Sequence, residues 1–357
     1  MGTVDLLIVC GSLKSGGAER VISILSSPFA DAFNQVTIIT WRNEPIFYKI
    51  DNRVVIKSLP KLAGSNKSLK KIRHFRRYIK ANRPNIILSF LTIFNLLTLL
   101  SLIGVNIPII VAERNDPRFV KGGIFVKLIR NILYLKADGI LCQTESIRQY
   151  FKGFLRKKTK IIYNPITLSE ESIGKALKTK KKPRIVSVGR LHPQKNQKLL
   201  IDSFCLFHKS HPSYTLSIYG TGILKENLEK YISDISMSDF IQLPGEQKHI
   251  TEIILDAEAF VMTSDYEGMP NALIEAMCLG LPCISTKVSG AVDLIENNKN
   301  GILIDRDASD ISKAICLIVD NNDIATTLAS KSSIIFNQLK TETISKTWID
   351  YINSKIR

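Results

Sequence analysis

Residues 259–276 read AFVMTSDYEGMPNALIEA: an apolar segment, a polar loop with one glycine, and a segment of helical character. Residues 259–263 predict a buried strand, and residues 271–280 predict a helix. A strand joined to a helix by a short loop is the repeating element of an α/β domain. Because the first N–H groups of a helix attract anions and hydroxyl groups, this junction is a candidate ligand site.

Two glutamates stand eight residues apart in this stretch. Glu267 lies in the loop before the predicted helix, and Glu275 lies about one turn inside it. Carboxylates placed in this way can contact successive parts of one elongated ligand. The spacing supports a second interpretation equally well, in which both are solvated surface acids and Glu267 interacts with the helix N-terminus.

Strands and helices alternate along the rest of the chain. Strands are predicted at residues 4–10, 35–40, 54–58, 85–90, 108–112, 139–143, 160–163, 184–188, 215–219, 241–243, 259–263 and 282–286. Further helices are predicted at 196–208, from 225, at 292–296, and near 309–320, 323–339 and 341–355. Such alternation implies right-handed crossovers and parallel sheets with helices on both faces. The polar, lysine-rich residues 169–183 predict a linker, so we expect two Rossmann-like domains that face each other across a cleft.

Composition and cysteine usage limit the possible classes of protein. Of the 357 residues, 45% are hydrophobic and 23% are charged, which excludes a largely disordered chain and allows two domains. The six cysteines are scattered without a Cys-x-x-Cys pair, and the short apolar start lacks the basic leader of a signal peptide. We therefore expect a reducing cytoplasm with buried thiols, and neither disulfides nor a zinc site.

Positive charge is concentrated in one half of the chain. Residues 1–165 contain 27 Lys and Arg against 9 Asp and Glu, whereas residues 166–357 contain 22 against 23. This asymmetry indicates that the first half contacts a polyanion, either nucleic acid or an anionic membrane surface.

Two segments of the basic half are relevant to membrane binding. Residues 67–83 predict a helix rich in Lys and Arg, whose apolar stripe consists of Leu69, Ile72, Phe75 and Ile79. The stripe indicates packing on a core, whereas the basic residues favour an anionic membrane surface. Residues 86–105 are uncharged and long enough to span a bilayer, but they divide into a strand and a helix that Pro108 ends. We predict core elements here, with a transmembrane helix as the alternative.

A second candidate ligand loop follows the strand predicted at 184–188. Residues 187–196 read SVGRLHPQKN and contain Arg190 and Lys195. The bidentate fork of an arginine and the point charge of a lysine together suit a diphosphate. A single basic residue after a strand is usually a solvated charge, and His192 fits a loop-shaping role better than that of a base.

Two loops of the basic half also follow predicted strands. Residues 11–20, GSLKSGGAER, carry Gly16 and Gly17 into the first helix and form neither a Walker A nor a GxGxxG loop. Residues 112–117, AERNDP, lie at the carboxyl end of a strand, where open α/β sheets bind ligands.

In this combination the motifs resemble those of family 4 glycosyltransferases, retaining enzymes of the GT-B fold, over essentially the whole chain. The most specific motif is Glu-x7-Glu, formed by Glu267 and Glu275, and the second is VGRLxxxKN at residues 188–196. SGGAER and AERNDP resemble a subgroup that extends lipid-linked bacterial glycans. The four motifs together favour the functional interpretation of the two glutamates.

The resemblance implies an α/β GT-B architecture with two facing Rossmann-like domains, parallel sheets and a cleft between them. Residues 1–165 would form the basic, membrane-facing acceptor domain, and residues 166–340 the nucleotide-sugar domain. Residues 341–357 would form a helix that packs back toward the N-terminal domain. The enzyme would be cytoplasmic and attached peripherally to the inner face of the membrane.

The resemblance also implies a role for each site residue. Arg190 and Lys195 would hold the donor diphosphate, Glu267 would contact the donor sugar, and Glu275 would bind the ribose hydroxyls. The remaining donor contacts would come from Gly16, Gly17, Gly220, Gly222, Gly245, Gly268, Met269 and Asn271. The donor would be a UDP-hexose or UDP-N-acetylhexosamine, and the acceptor a lipid-diphosphate-linked oligosaccharide of O-antigen, capsule or exopolysaccharide synthesis. We expect no cofactor and no metal, with cationic side chains in place of a divalent ion.

One departure from the family concerns the base. Many relatives carry a histidine near the reacting sugar, but here the corresponding loop offers Glu113 and Asn115. Either residue is expected to fill that place, and the leaving phosphate itself would accept the acceptor's proton.

Two alternative functions follow from the same sequence. A catalytically silent GT-B scaffold is disfavoured by the intact set of two glutamates, one arginine and one lysine. A basic nucleic-acid-binding protein has only the charge in its favour, because no helix-turn-helix, zinc-finger or RNP signature is recognisable. We therefore predict no nucleic acid partner.

Overall fold

The computed structural model describes residues 4–120 and 122–356, which form two compact units. The N-terminal unit holds the chain up to Thr167 and again from Leu339, and the C-terminal unit is Leu168–Gln338. The chain therefore leaves the N-terminal unit once and returns to it for its last residues.

The N-terminal unit is built on a seven-stranded sheet. Its strands are β1 (Asp5–Cys10), β2 (Gln35–Thr40), β3 (Val55–Ser58), β4 (Ile86–Phe90), β5 (Ile109–Ala112), β6 (Gly139–Cys142) and β7 (Thr159–Ile161). Its helices begin with α1 (Gly17–Ala32), α2 (Leu59–Ala63), α3 (Ser68–Asn82), α4 (Thr92–Ser101), α5 (Gly123–Tyr134), α6 (Glu145–Tyr150) and α7 (Gly153–Lys157). The strand order is β3-β2-β1-β4-β5-β6-β7 and all pairs are parallel, so the order reverses between β1 and β4.

The C-terminal unit is built on a six-stranded parallel sheet. Its strands are β8 (Lys182–Val188), β9 (Thr215–Tyr219), β10 (Ile241–Gly245), β11 (Ala257–Met262), β12 (Cys283–Thr286) and β13 (Ile302–Ile304). The helices are α8 (Glu170–Lys178), α9 (Gln197–His208), α10 (Lys225–Asp234), α11 (Ile250–Ile253), α12 (Asn271–Cys278), α13 (Ser289–Leu294), α14 (Ala308–Asp320), α15 (Asn322–Ser333), α16 (Ile335–Leu339) and α17 (Thr341–Asn353), the last of which belongs to the N-terminal unit. The strand order is β10-β9-β8-β11-β12-β13, with a reversal between β8 and β11.

Buried aliphatic runs explain the central strands. All five residues of β4 are buried, and so are the last five of β1. Strands covered by helices on both faces require such continuous apolar sequence. The prediction of two α/β domains with parallel sheets is therefore confirmed.

Several local predictions need correction. Residues 169–183, predicted as a linker, contain α8 and the start of β8, because Ser169 caps a helix whose first turn is acidic and whose last turn is basic. The short strand β13 was not predicted, since three residues give too little pattern. On α3, Phe75 and Ile79 lie in the core as predicted, but Leu69 is exposed.

The uncharged run 86–105 forms β4 and α4, which are the core elements the sequence predicts. Both pack within the apolar core of the N-terminal unit. None of the helices in the described ranges 4–120 and 122–356 combines the length and apolar character that crossing a bilayer requires.

The last helix is fixed to the N-terminal unit by an aromatic residue. Trp348 of α17 is fully buried and stacks on Phe90 at the end of β4, with ring centroids 5.9 Å apart. It also meets Phe29 of α1 edge to face at 6.4 Å. These contacts place α17 in the N-terminal unit's core.

Candidate active site

The candidate site of the C-terminal unit lies where the order of its sheet reverses. β8 and β11 are neighbours, and the strands that follow each of them lie on opposite sides. Loops at the carboxyl ends of two such strands form a crevice that binds ligands in open α/β sheets. The loop after β8 contains Arg190 and Lys195, and the loop after β11 contains Glu267, so the sheet brings predicted site residues together.

Lys195 and Glu267 form an ion pair between these two loops. Nζ of Lys195 lies 2.6 Å from Oε1 of Glu267, and Oγ of Ser264 donates to the same oxygen at 2.7 Å. Glu267 is 7% exposed and Glu275 is 4% exposed. The interpretation of the two glutamates as solvated surface acids is therefore wrong, since a buried carboxylate needs a charged or hydrogen-bonding partner.

Hydrogen bonds between the two loops fix the position of this pair. The N–H of Asp265 donates to the carbonyl of Gln194, and Nε2 of Gln194 donates to the carbonyl of Tyr266, both at 2.8 Å. Nδ2 of Asn196 donates to Oδ1 of Asp265 at 3.0 Å. Asn196 has a φ of 48°, a left-handed conformation that asparagine tolerates better than most residues. Lys195, between Gln194 and Asn196, is thus held on both sides.

Glycines let the loop after β9 lie directly against the loop after β8. A Cβ on Gly220 would lie 2.1 Å from the carbonyl oxygen of Gly189, and one on Gly222 would lie 2.2 Å from that of Leu191. The N–H of Gly220 donates to the carbonyl of Gly245 at 2.9 Å, which adds the loop after β10 to the stack. These glycines support the loop after β8 through backbone packing, and their contact with a nucleotide stays a prediction.

The loop after β11 runs into α12 close to where the sequence predicts a helix. Glu275 lies on α12 in a buried position, and Met269 before it is also buried. Gly268 packs against Gly290 on α13, where a Cβ would lie 2.4 Å from the Gly268 carbonyl oxygen. Gly268, Met269 and Asn271 form the approach to the N-terminal end of α12, so their N–H groups are candidate donors to a ligand.

Arg190 presents a charged side chain beside this assembly. Its carbonyl accepts a hydrogen bond from Nε2 of Gln197 at 2.6 Å, which fixes its backbone. The side chain is exposed, and within the part of the chain that the structure describes its guanidinium has no hydrogen bond or ion pair. All of its donors are therefore available to a ligand, close in sequence to the ammonium of Lys195.

The sequence Asp305-Arg306-Asp307 has the Asp-x-Asp spacing of some metal sites, but both carboxylates have structural partners. Asp305 pairs with Lys287 at 2.9 Å, and Oδ1 of Asp307 caps α14 by accepting from the N–H of Asp310 at 3.0 Å. Across residues 4–120 and 122–356, no group of three His, Cys, Asp or Glu side chains is arranged to hold a metal ion.

In the N-terminal unit, the predicted glycines lie where β1 leads into α1. Gly16 precedes the helix and Gly17 is its first residue. A Cβ on Gly16 would lie 2.3 Å from Oε2 of Glu19, because the Glu19 side chain folds back over the loop. Burial lowers the pKa of Arg114 and the charge of Glu19 partly opposes this, so the loops 11–20 and 112–117 are electrostatically coupled.

Glu113 follows β5 and is enclosed by hydroxyl groups. Oγ1 of Thr92 donates to its Oε2 at 2.7 Å, and the hydroxyl of Tyr134 donates to its Oε1. Nδ2 of Asn95 donates to the Tyr134 oxygen at 2.9 Å, so a second residue of α4 joins the network. Burial raises the pKa of Glu113, although both hydroxyl groups and the charge of Arg130 oppose the rise. With 1% of its surface exposed, Glu113 is placed to support the loop rather than to contact a ligand.

The two residues after Glu113 differ in burial. Arg114 is buried over the rings of Phe90 and Trp348, at 5.7 and 6.0 Å from their centroids, and donates to Oδ1 of Asn164. Burial lowers the pKa of Arg114. Asn115 is only half-buried, so of the two residues predicted to replace the histidine it is the more accessible.

Sequence reasoning missed several residues that position the site. Ser264, Gln194 and Asn196 lie inside the two quoted motifs, so their polar character and position could have identified them. Tyr134 had no such signal, because it reaches Glu113 from a helix 21 residues further along the chain.

Family models match both halves of the chain. The model described as "Glycosyltransferase Family 4" matches residues 15–170, and the model described as "Glycosyl transferases group 1" matches residues 169–333.

Curated relatives and a solved structure match over most of their lengths. The chain is 25% identical to the Campylobacter jejuni GalNAc-alpha-(1->4)-GalNAc-alpha-(1->3)-diNAcBac-PP-undecaprenol alpha-1,4-N-acetyl-D-galactosaminyltransferase, over 98% of each chain. It is 30% identical to the C. jejuni N-acetylgalactosamine-N,N'-diacetylbacillosaminyl-diphospho-undecaprenol 4-alpha-N-acetylgalactosaminyltransferase, covering 83% of this chain and 84% of that protein. The crystal structure of Anabaena HepE in complex with UDP and glucose is similar in fold, with a TM-score of 0.81 and 19% identity over 98% of this chain and 99% of HepE.

Proposed function

Since this chain belongs to the family 4 glycosyltransferases of GT-B fold, we propose that it transfers a sugar from a UDP-hexose or UDP-N-acetylhexosamine to a lipid-diphosphate-linked bacterial oligosaccharide, with retention of configuration. The observation that carries this proposal is the ion pair of half-buried Lys195 with buried Glu267 at the sheet's reversal, beside the available guanidinium of Arg190.

The site supplies charge for the donor diphosphate. An ammonium group has three N–H donors, and Lys195 uses one of them for Glu267, so two remain for phosphate oxygens. Arg190 adds bidentate donors. Negative charge on the leaving diphosphate is thereby stabilised by preorganised cations, without the need for a divalent metal.

Glu267 has one oxygen left for the donor sugar. Oε1 accepts from both Lys195 and Ser264, whereas Oε2 has no partner among the described residues. That oxygen would accept a hydroxyl of the donor sugar, and buried Glu275, on α12, would accept the ribose hydroxyls. In the transfer, the bond between the anomeric carbon and the diphosphate oxygen breaks, and the acceptor oxygen bonds to that carbon from the same side. The acceptor's proton goes to the leaving phosphate, so no protein base is required.

The relatives support the choice of substrates. The names of both Campylobacter relatives specify undecaprenyl-linked substrates, and HepE was crystallised with UDP and glucose. We propose substrates of the same kinds here, used by an enzyme held at the cytoplasmic face of the membrane.

The basic surface of the N-terminal unit supports peripheral attachment. On α3, Lys70, Arg73, Arg77 and Lys80 are exposed. Arg76 instead donates to the carbonyls of Ser101 and Ile103 at the C-terminal end of α4, so it is less available to lipid. Each basic side chain near an anionic surface contributes about 1 kcal/mol, which salt screens.

A donor screen tests the proposed activity. Nucleotide sugars are incubated with a lipid-diphosphate-linked glycan acceptor, and NMR identifies the product and its anomeric configuration. A retained anomer from a UDP-sugar is expected, and an inverted product would refute retention. A silent scaffold would give no product, and a nucleic-acid-binding protein would give neither product nor the UDP-sugar binding that Arg190→Ala abolishes.

A further inference from the structure

Helix α5 of the N-terminal unit has its apolar face outward. Five of its large apolar side chains are exposed, namely Ile124, Phe125, Leu128, Ile129 and Ile132. Phe125 is 75% exposed and Ile124 is 69% exposed. Helices on the surface of a water-soluble domain normally show polar residues on this side.

The inward face of the same helix holds an arginine. Arg130 is fully buried, where it donates to the carbonyl of Pro117 at 3.2 Å and to the hydroxyl of Tyr150 at 2.6 Å. Its guanidinium lies 5.5 Å from the ring centroid of Phe151. A structural role therefore accounts for the buried charge, and the outward apolar stripe has no partner within the described residues of the unit.

The apolar surface continues beyond α5. Phe154 on α7 is exposed, and Nζ of Lys158 lies 4.8 Å from its ring centroid. Lys158 donates to the carbonyls of Leu135 and Ala137 at 2.8 Å, which places α7 beside the end of α5. On the other side, α4 packs against both α5 and α3, so the apolar helix and the basic helix belong to one row on the sheet.

The charge around α5 is mainly basic. Residues 117–136 contain five Lys and Arg and no Asp or Glu, although Arg130 is buried and Arg118 pairs with Asp116 at 2.7 Å. A second copy of this chain packed symmetrically on α5 would bring the remaining basic residues, among them Lys127 and Lys136, close to their own copies. An anionic bilayer interface offers hydrocarbon for the apolar side chains and phosphate groups for the surrounding cations.

We propose that α5 is an interfacial membrane helix, whose face Ile124, Phe125, Leu128, Ile129 and Ile132 inserts into the headgroup and acyl boundary of an anionic bilayer. Twelve residues are too few to span a bilayer, so the helix lies in the plane of the interface. This inference rests on the proposed function for its choice of a membrane, and it adds apolar insertion to the electrostatic attachment through α3.

Vesicle flotation at low and high salt tests the insertion. The protein is mixed with vesicles of phosphatidylglycerol and phosphatidylethanolamine, without donor or acceptor. High salt screens the electrostatic attachment through α3 but does not weaken apolar insertion. Wild type should therefore still float with the vesicles at about 0.5 M salt. The variant Phe125→Gln/Leu128→Gln/Ile132→Gln should lose about a hundredfold in high-salt partitioning, given the apolar area removed.

A matched control removes three exposed apolar residues from the C-terminal unit. Leu206→Gln/Leu317→Gln/Ile334→Gln changes side chains that are also exposed, and it should float like wild type. Equal flotation of the α5 variant and this control would overturn the proposal. So would sedimentation of lipid-free wild type as a dimer that the α5 variant converts to a monomer, because that result assigns the face to a second copy.

A single substitution provides a readout that does not depend on removing the apolar face. Both native tryptophans, Trp41 and Trp348, are buried, so Ile132→Trp adds an exposed reporter. Its emission should shift to the blue on addition of vesicles, and an unchanged spectrum would contradict insertion. If wild type floats as expected but the donor screen yields no product, the proposed activity fails while the membrane helix stands.

Discussion

Glu267 and Glu113 are both buried glutamates in loops that follow parallel strands, yet they differ in their partners. Glu267 faces the ammonium of Lys195 and keeps one oxygen without a partner among the described residues, whereas both oxygens of Glu113 accept from hydroxyl groups. Burial raises the pKa of Glu113. Position at a strand end therefore does not decide a carboxylate's role. A charged partner and an available oxygen suit Glu267 to binding a ligand, whereas neutral donors to both oxygens suit Glu113 to supporting its loop.

The largest expected effect follows from removing the cations at the Glu267 site. Arg190→Ala should lower turnover by about 10²–10³ because a preorganised donor to developing charge is lost. Its unfolding free energy should change by about 0.5 kcal/mol or less, since the side chain is exposed. Lys195→Met should lower turnover similarly and also destabilise the fold by about 1–3 kcal/mol, because Glu267 loses its cation.

Steady-state kinetics with urea unfolding measure both quantities, and Lys225→Ala, an exposed lysine on α10, serves as control. Near-normal turnover of Arg190→Ala would show that the diphosphate site is assigned wrongly.

Substitutions of the two glutamates of the Glu-x7-Glu motif should affect turnover and nucleotide affinity to different extents. Glu267→Gln should lower turnover by about tenfold to a hundredfold, more than it weakens nucleotide binding. Glu275→Gln should instead weaken UDP binding by at least about tenfold, because a ribose hydroxyl loses a charged acceptor. Calorimetric titration with UDP gives the affinities, with Glu296→Gln as an exposed control. Equal UDP affinity of wild type and Glu275→Gln would contradict the ribose role.

Glu113→Gln should affect stability rather than chemistry. The amide group would meet the Tyr134 or Thr92 hydroxyl that now donates to a carboxylate oxygen, at a cost of about 1–3 kcal/mol. Turnover of the folded variant should stay within about tenfold of wild type. A loss comparable to that of Glu267→Gln would give Glu113 a direct part in the reaction and end the contrast between the two.

The same variant has a pH signature. A carboxyl whose pKa is higher in the folded state binds its proton more tightly there, so its contribution to stability is complete below the ordinary value of 4.5 and falls as pH rises toward the folded pKa. The unfolding free energy of wild type relative to Glu113→Gln should therefore decline as pH increases above about 4.5. Urea unfolding at several pH values measures this difference. If the stability of wild type relative to Glu113→Gln increased over the same pH range, the raised pKa would be refuted.

The smallest expected effect is on the position of Lys195. A Cβ on Gly189 would lie 3.2 Å from Cε of Lys195, so Gly189→Ala should shift the lysine slightly and lower turnover by about tenfold or less. Gly174→Ala is the matched control, because no atom lies within 4 Å of its added Cβ and alanine favours the helix by about 0.5–1 kcal/mol. Unchanged kinetics in Gly189→Ala would mean that the pair tolerates displacement.

The sequence allowed prediction of features with local patterns. Buried aliphatic runs revealed the central strands, and the fixed spacing of Arg190, Lys195 and Glu267 identified the loops that β8 and β11 bring together. Features that depend on distant parts of the chain gave no pattern: the enclosure of Glu113 by Tyr134 required the folded unit. The exposure of α5 escaped notice for a similar reason, since apolar periodicity shows that a helix has an apolar face but not which way it points.

The burial of Trp348 has a consequence for how the protein is made. The core of the N-terminal unit contains Phe90 and Phe29, but the ring that packs against both belongs to α17, which follows the whole C-terminal unit in sequence. A ribosome must therefore synthesise all of Leu168–Gln338 before that core can be completed. The unit that begins first in synthesis is completed second, and the rings of Phe29 and Phe90 lack this partner until α17 has been made.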